Sequence, residues 1–218
     1  GSCGDCHFRD GRSDFVVQTA KGPLVAPPTF GVGLLQWIAG AEAKLTWDGS
    51  VATVRAQSEN ALAADLGLTP ADIGENTFDQ IVKYTETLHV PVRDYDTYVD
   101  AEVAEGEVAF HEAGCAGCHQ PTQKTRSDAP VWARDLSIRP YTDMKLWDVG
   151  TGGDFRTPAL WAIGQNVELL ERNGKATLFV HDGRATSLEA AIDAHGNDSV
   201  PALSSDEKAN IVRFLRSL

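Results

Sequence analysis

Ile211, Leu215 and Leu218 recur at helical spacing at the end of the chain and form one apolar stripe. A second stripe, Val103, Gly106 and Phe110, lies about a hundred residues earlier, and its glycine would let another backbone come close. These two segments are expected to be helices packed on each other. Three pairs have capping-box spacing ahead of apolar runs: Thr77 with Gln80, Thr186 with Glu189, and Ser204 with Glu207. Leu188, Ile192 and His195 share a further helical face, with His195 in the last turn before Gly196.

The same pattern occurs twice. Residues 81–88 match residues 211–218 almost type for type, Trp47-Asp48-Gly49 matches His181-Asp182-Gly183, and a Pro-led apolar run ending at Gly33 matches one from Pro158 to Gly164. The order is shared, so the chain is expected to be all-α: two tandem helical lobes, residues 1–95 and 96–218, meeting near residues 91–100. The first lobe has no opening helix here, because only Gly1 and Ser2 precede Cys3. With no initiator Met either, the chain reads as a mature form or a fragment.

The 218 residues and 42% hydrophobic content allow two modest cores. No window approaches the roughly 18 apolar residues of a membrane span. A formal charge of -12 argues against nucleic acid and anionic lipid, which need a positive field, and favours a partner with a basic surface.

All four cysteines fall in Cys3-Gly4-Asp5-Cys6-His7 and Cys115-Ala116-Gly117-Cys118-His119. Two thiols one turn apart, followed directly by an imidazole, are what covalent attachment of haem through its vinyl groups requires, with the imidazole as axial iron ligand. A thioredoxin-like pair or a zinc site would not need the following His twice. Two covalently bound haem c groups are therefore expected, and with them an extracytoplasmic, typically periplasmic, location. The motifs turn the helical lobes into cytochrome c-like lobes.

The second half then resembles the bacterial di-haem oxidoreductase family, whose members are described as peroxidases or thiol oxidoreductases. The matching stretches include Gly114 to His119, Arg139-Pro140-Tyr141-Thr142-Asp143, Phe155-Arg156-Thr157-Pro158-Ala159-Leu160-Trp161, His181-Asp182-Gly183-Arg184-Ala185, His195-Gly196 and residues 214–218. The tandem plan is more distantly similar to bacterial di-haem cytochrome c peroxidases. The resemblance covers most of the chain, in the first half through residues 3–12, 25–36 and 47–68. Two features depart from it: the segments between Arg12 and Val25 and between Gly40 and Leu45 are short, and Trp147 and Val149 stand where relatives commonly carry His and Met.

His7 and His119 are the expected proximal ligands. The resemblance implies His195 as the distal ligand of the second haem, against the ordinary reading of a lone inward His as core. His181 is expected to bond a propionate or a backbone carbonyl, and Arg156 and Arg184 to neutralise propionates, with surface ion pairs as the alternative. Met144, the one thioether, is either gap-filling core or an iron ligand. Trp47 is either core or, as in the peroxidases, an aromatic between the haems. Gln57, Glu59 and Asp65 are candidates to serve a distal pocket, or simply face solvent. His89 and His111 are expected to face solvent. The peroxidase likeness also implies calcium between the lobes, although no ligand cluster is evident.

The halves differ at one position that matters. His195 lies fourteen residues after His181; the same count from Trp47 reaches Ala61, and residues 8–88 contain neither His nor Met. The first haem is thus expected to be open and the second closed. That implies a peroxidase-like oxidoreductase, one haem passing electrons and the other meeting a small oxidant such as hydrogen peroxide. The alternative is an electron-transferring subunit of a larger complex. Thiol oxidation finds no free cysteine.

Overall fold

The computed structural model describes residues 2–19, 22–40, 45–93, 96, 99–148, 153–195 and 201–218. Val149, Gly150 and Gly196, with Asp94, Tyr95, Thr97 and Tyr98 at the expected junction, lie outside the described residues. In chain order the described α-helices and strands are α1 (Cys3–Cys6), β1 (Val16–Thr19), β2 (Gly22–Val25), α2 (Val32–Leu35), α3 (Val54–Ala61), α4 (Pro70–Ile73) and α5 (Glu75–Thr87). After these come α6 (Ala101–Glu112), β3 (Gln123–Lys124), β4 (Ser137–Ile138), β5 (Leu146–Trp147), β6 (Phe155–Arg156), α7 (Ile163–Arg172), α8 (Leu188–Asp193) and α9 (Ser205–Ser217).

The fold is not all-α. Helix takes 43% of the chain and strand 10%, which makes it mixed α and β. The strands form three antiparallel pairs, β1 with β2, β3 with β4 and β5 with β6. Long connections between helices must place their backbone N–H and C=O groups somewhere, and here neighbouring segments supply the partners. Val16 and Val17, facing Val25 and Leu24 in the first hairpin, have the β-branched composition that favours a pleated surface. Two-residue strands such as Leu146–Trp147 against Phe155–Arg156 are too short to produce a sequence period, so only the folded chain shows them.

The helical expectations fare unevenly. Val103, Gly106 and Phe110 are the buried residues of α6, and Ile211, Leu215 and Leu218 are buried at the other end of the chain. A Cβ on Gly106 would stand 2.1 Å from the Asn210 carbonyl oxygen, so only glycine allows α6 and α9 this approach. The box of Ser204 with Glu207 caps α9 as expected. The other two boxes are displaced. Ser187, not Thr186, accepts from the Ala190 amide at the start of α8, and α5 begins at Glu75, ahead of Thr77. In both places a neighbouring residue with extended or glycine backbone geometry takes the cap.

The repeat survives in packing. A Cβ on Gly33 would lie 1.9 Å from the Glu86 carbonyl oxygen, and one on Gly164 would lie 1.9 Å from that of Arg216. These are equivalent contacts, since Gly33 matches Gly164 and Glu86 matches Arg216 in the aligned halves. Thr53 caps α3 six residues after Trp47, and Ser187 caps α8 six residues after His181.

The cores are not equal. The largest joins Val103, Phe110, Tyr141, Leu160, Phe179, Leu188, Ile211 and Phe214, all from the second half. A small cluster of Leu62, Phe78 and Val82 belongs to the first. Between them Phe30, Leu35, Ile38, Leu45 and Val54 pack with Ile138, Met144 and Trp161, so apolar burial crosses from one half to the other. Among the described residues no helix is long and apolar enough to cross a membrane.

Candidate functional site: two Cys-His turns and the junction between them

Both Cys-x-x-Cys-His segments fold into one helical turn. The His7 amide donates to the Cys3 carbonyl at 2.8 Å, and the His119 amide to that of Cys115 at 2.9 Å. Positions three and four apart on a helical turn are neighbours, which is the spacing that a covalent haem needs. The four thiols form no disulfide. Burial, first among the causes, raises the pKa of Cys6, Cys115 and Cys118, which opposes the thiolate that redox or nucleophilic cysteine chemistry requires.

Around the second turn, His119 and His195 lie close, with ring centroids 6.4 Å apart and ring planes at 65°. Their Nδ1 atoms are engaged on backbone carbonyls, His119 with Tyr141 at 3.1 Å and His195 with Ala191 at 2.8 Å. Donation from Nδ1 fixes the tautomer and leaves each Nε2 with a lone pair. Burial, then the neighbouring His195, holds the His119 pKa down to about 4, so its imidazole is neutral and able to ligate. Two imidazoles on opposite sides of one metal ion, with bonds of roughly 2 Å, would have ring centres about 6 Å apart. The pair therefore fits a six-coordinate haem iron.

The first turn lacks that arrangement. His7 is half-buried, and its buried Nδ1 has no hydrogen-bond partner. Its pKa is lowered chiefly by burial, against the nearby Pro27 carbonyl and the charges of Asp65 and Asp10. Pro27 is the counterpart of Pro158, whose carbonyl lies beside His119. This places the match one residue before the Pro28 suggested by the sequence. Where the second half has His195, the first has Ala61.

Gln57, on α3, has a buried Oε1 with no partner. Glu59 and Asp65 are exposed, although the charge of Asp65 is felt by both Cys6 and His7. An orphaned buried amide oxygen is rare without a water or ligand. Of the three candidates, Gln57 alone shows it.

Trp47 and His181, equivalent in the repeat, meet at the junction with ring centroids 6.3 Å apart, edge to face. The Trp47 Nε1 donates to the Val25 carbonyl at 2.6 Å. The Val25 amide donates to the His181 carbonyl at 2.9 Å, which ties the end of β2 to both turns. His181 is buried, stacked on Phe155 at 3.5 Å, and its pKa is lowered first by that burial.

Met144 is buried among first-half residues, with Arg156 Nη1 donating to its sulfur at 3.5 Å. Arg156 is fully enclosed, and its other contacts are carbonyl oxygens. Arg184 is different. It pairs with Asp182 at 3.5 Å and donates to the Ala194 carbonyl, next to His195. His89 and His111 are exposed. Among the described residues no group of three or more His, Cys, Asp or Glu side chains could cage an ion, so the implied calcium finds no site there.

One residue escaped the sequence reading. Arg12 is buried, lies 5.5 Å from the Trp47 ring and donates to the Leu178 and Val180 carbonyls. Its only sequence signal is an arginine set between Gly11 and Ser13 close behind a haem motif, which by itself reads as loop.

A search of curated proteins finds no match for this chain. The family model described as "di-haem oxidoreductase, putative peroxidase" matches residues 69–218, well over half of the sequence and including the second motif, His119 and His195. With haem cofactors implied by that match and by the two Cys-His turns, the chain belongs to the di-haem oxidoreductase family.

Proposed function

We propose that this protein is a c-type di-haem oxidoreductase with peroxidase-like chemistry, its first haem open to a small oxidant and its second a closed electron store. The observation that carries the reading is the asymmetry between the sites: His119 has His195 at 6.4 Å, whereas among the described residues His7 has no such partner and the matching position is Ala61. Cys3 and Cys6 would hold one haem and Cys115 and Cys118 the other, each through thioether bonds. When bound, haem supplies one-electron storage and, with a free coordination position, reduction of peroxide.

The chain's own groups supply position and protons. His119 and His195 would together hold the second haem and keep substrate away from it. His7 would hold the first haem, which leaves room there for a small oxidant. The Gln57 amide oxygen accepts a hydrogen bond from a peroxide O–H and orients it, while Asp65 and Glu59, at solvent, relay protons to it. Trp47, enclosed at the junction, lies on the route between the sites. The acidic chain would meet a donor protein with a basic surface, in the periplasm or another extracytoplasmic compartment where c-type haem is attached.

One observation favours a second reading. Met144 packs with Phe30, Leu35 and Val54 of the first half, so a thioether is at hand on that side. Were it to bind the first iron, both haems would be closed and the protein would relay electrons only. Mass spectrometry of the denatured chain should show two haem masses. Electron paramagnetic resonance with added cyanide or peroxide should show one responsive haem, with peroxide-dependent turnover of an artificial donor. Two low-spin haems that refuse both ligands in every redox state would replace the enzyme by an electron carrier.

A further inference from the structure

Two interior guanidiniums cross the junction in opposite directions. Arg12 follows the first haem motif, yet its Nη1 donates to the carbonyls of Leu178 at 2.5 Å and Val180 at 3.4 Å, on the segment leading into His181. Arg156 belongs to the second half, yet its Nε donates to Thr46 at 3.2 Å and its Nη2 to Leu45 at 3.4 Å, on the segment leading into Trp47. Each half thus anchors a cation beside the other half's Asp-Gly turn.

Among the described residues neither charge is balanced. Arg12 is 8% and Arg156 4% exposed, and among the described residues no carboxylate pairs with either. Arginines at the surface do find acids: Arg55 pairs with Asp79, Arg172 with Glu168 and Arg216 with Glu171. The two buried ones stand out in a chain with 31 acidic and 19 basic residues, where carboxylates are plentiful. Burial lowers both pKa values to about 10, which still leaves them charged at neutral pH. Removing a charge from water is costly unless a counter-charge goes with it, and the planar fork of arginine matches a carboxylate. Carbonyl dipoles alone are a poor substitute.

We infer that Arg12 and Arg156 each hold a carboxylate of a bound haem, so that the junction between the halves reaches charge balance only when haem is in place. The inference rests on the haem reading above and departs from the sequence expectation in one residue. Arg12, not Arg184, is the partner of Arg156 in this role, because Arg184 already has Asp182. A free carboxylate such as acetate has the same chemistry, and the experiment separates the two sources.

The test is the propionate bending band in the resonance Raman spectrum of the haem-loaded protein, which moves to higher frequency when the carboxylate accepts strong hydrogen bonds. The reference is a haem peptide cut by protease from the same chain, whose propionates face water. Wild type should show displaced bands; R12Q and R156Q should each return one band to the peptide position, while R12K and R156K keep part of the displacement. The wild-type spectrum stands even where a Gln variant fails to fold. Wild-type bands at the peptide position, or Gln variants that leave them unmoved, would mean that the arginines only cap carbonyls, and would overturn the inference. So would undisplaced bands in a protein whose melting temperature rises with added acetate, since the bound anion would then be a free one. A chain carrying fewer than two haem masses would remove the haem reading itself, and mass spectrometry identifies that outcome separately.

Discussion

In the first half Thr53 caps a helix that leads to Ala61; in the second Ser187 caps one that leads to His195, the same eight residues on. The local backbone chemistry is alike, with an extended cap residue, a side-chain oxygen accepting from an amide three residues later, and a buried aliphatic at the first helical position, Val54 or Leu188. The repeated glycines, Gly33 against Glu86 and Gly164 against Arg216, set equally close approaches. Among the differences, the one that bears on the site is the side chain eight residues after each cap, Ala61 or His195. Duplication of a scaffold thus fixes where a distal group can stand, and a single residue decides whether that position is filled.

The largest effect should come from erasing the difference. Ala61→His would give the first site the imidazole that it lacks; cyanide and peroxide binding should vanish, and peroxide turnover should fall to background while both haems remain attached. Retained peroxide turnover would show that Ala61 does not face the first iron. The converse change, His195→Ala, should open the second site. The bis-imidazole signal should disappear from the electron paramagnetic resonance spectrum, and a second cyanide should bind, with the first site unchanged.

Gly33→Ala and Gly164→Ala test the symmetry of the scaffold. Each added methyl meets a backbone carbonyl, and overpacking of this kind costs about 1–3 kcal/mol. For a chain of this size that is roughly 2–4 °C of melting temperature per kcal/mol. Similar losses are expected from the two variants; a large loss from only one would show that the halves bear unequal loads. Gln57→Leu should lower peroxide turnover about fivefold with cyanide affinity at the first haem preserved, since one orienting hydrogen bond is worth on the order of 1 kcal/mol.

The smallest effect is a pH dependence at the junction. His181 is kept neutral by burial, so its folded pKa lies below the ordinary 6.5. The unfolded chain binds a proton first as pH falls; stability is complete above about 6.5 and declines as pH drops toward the folded value. Denaturant melts between pH 7 and pH 5 should show a shallower acid decline in His181→Phe than in wild type. An equal slope would assign the decline to other histidines.

The sequence by itself determined the features that are written in covalent spacing and in helical period. Cys3, Cys6 and His7 must form one turn, as must Cys115, Cys118 and His119, because adjacency along the chain fixes them. The α6 and α9 stripes follow from residues on one helical face, and the contrast of His195 with Ala61 follows from counting along a repeat. Tertiary structure decided what depends on neighbours remote in sequence. The strand pairs arise where Leu146 and Trp147 find Phe155 and Arg156, and they overturn an all-α fold that helical periods alone supported. Arg12 could be recognised only when Leu178 and Val180, more than 160 residues away, closed around it. Gln57 separates from Glu59 and Asp65 only by burial. A side chain's type and position along a helix are local properties, whereas its dielectric surroundings and its lack of a partner belong to the packed molecule.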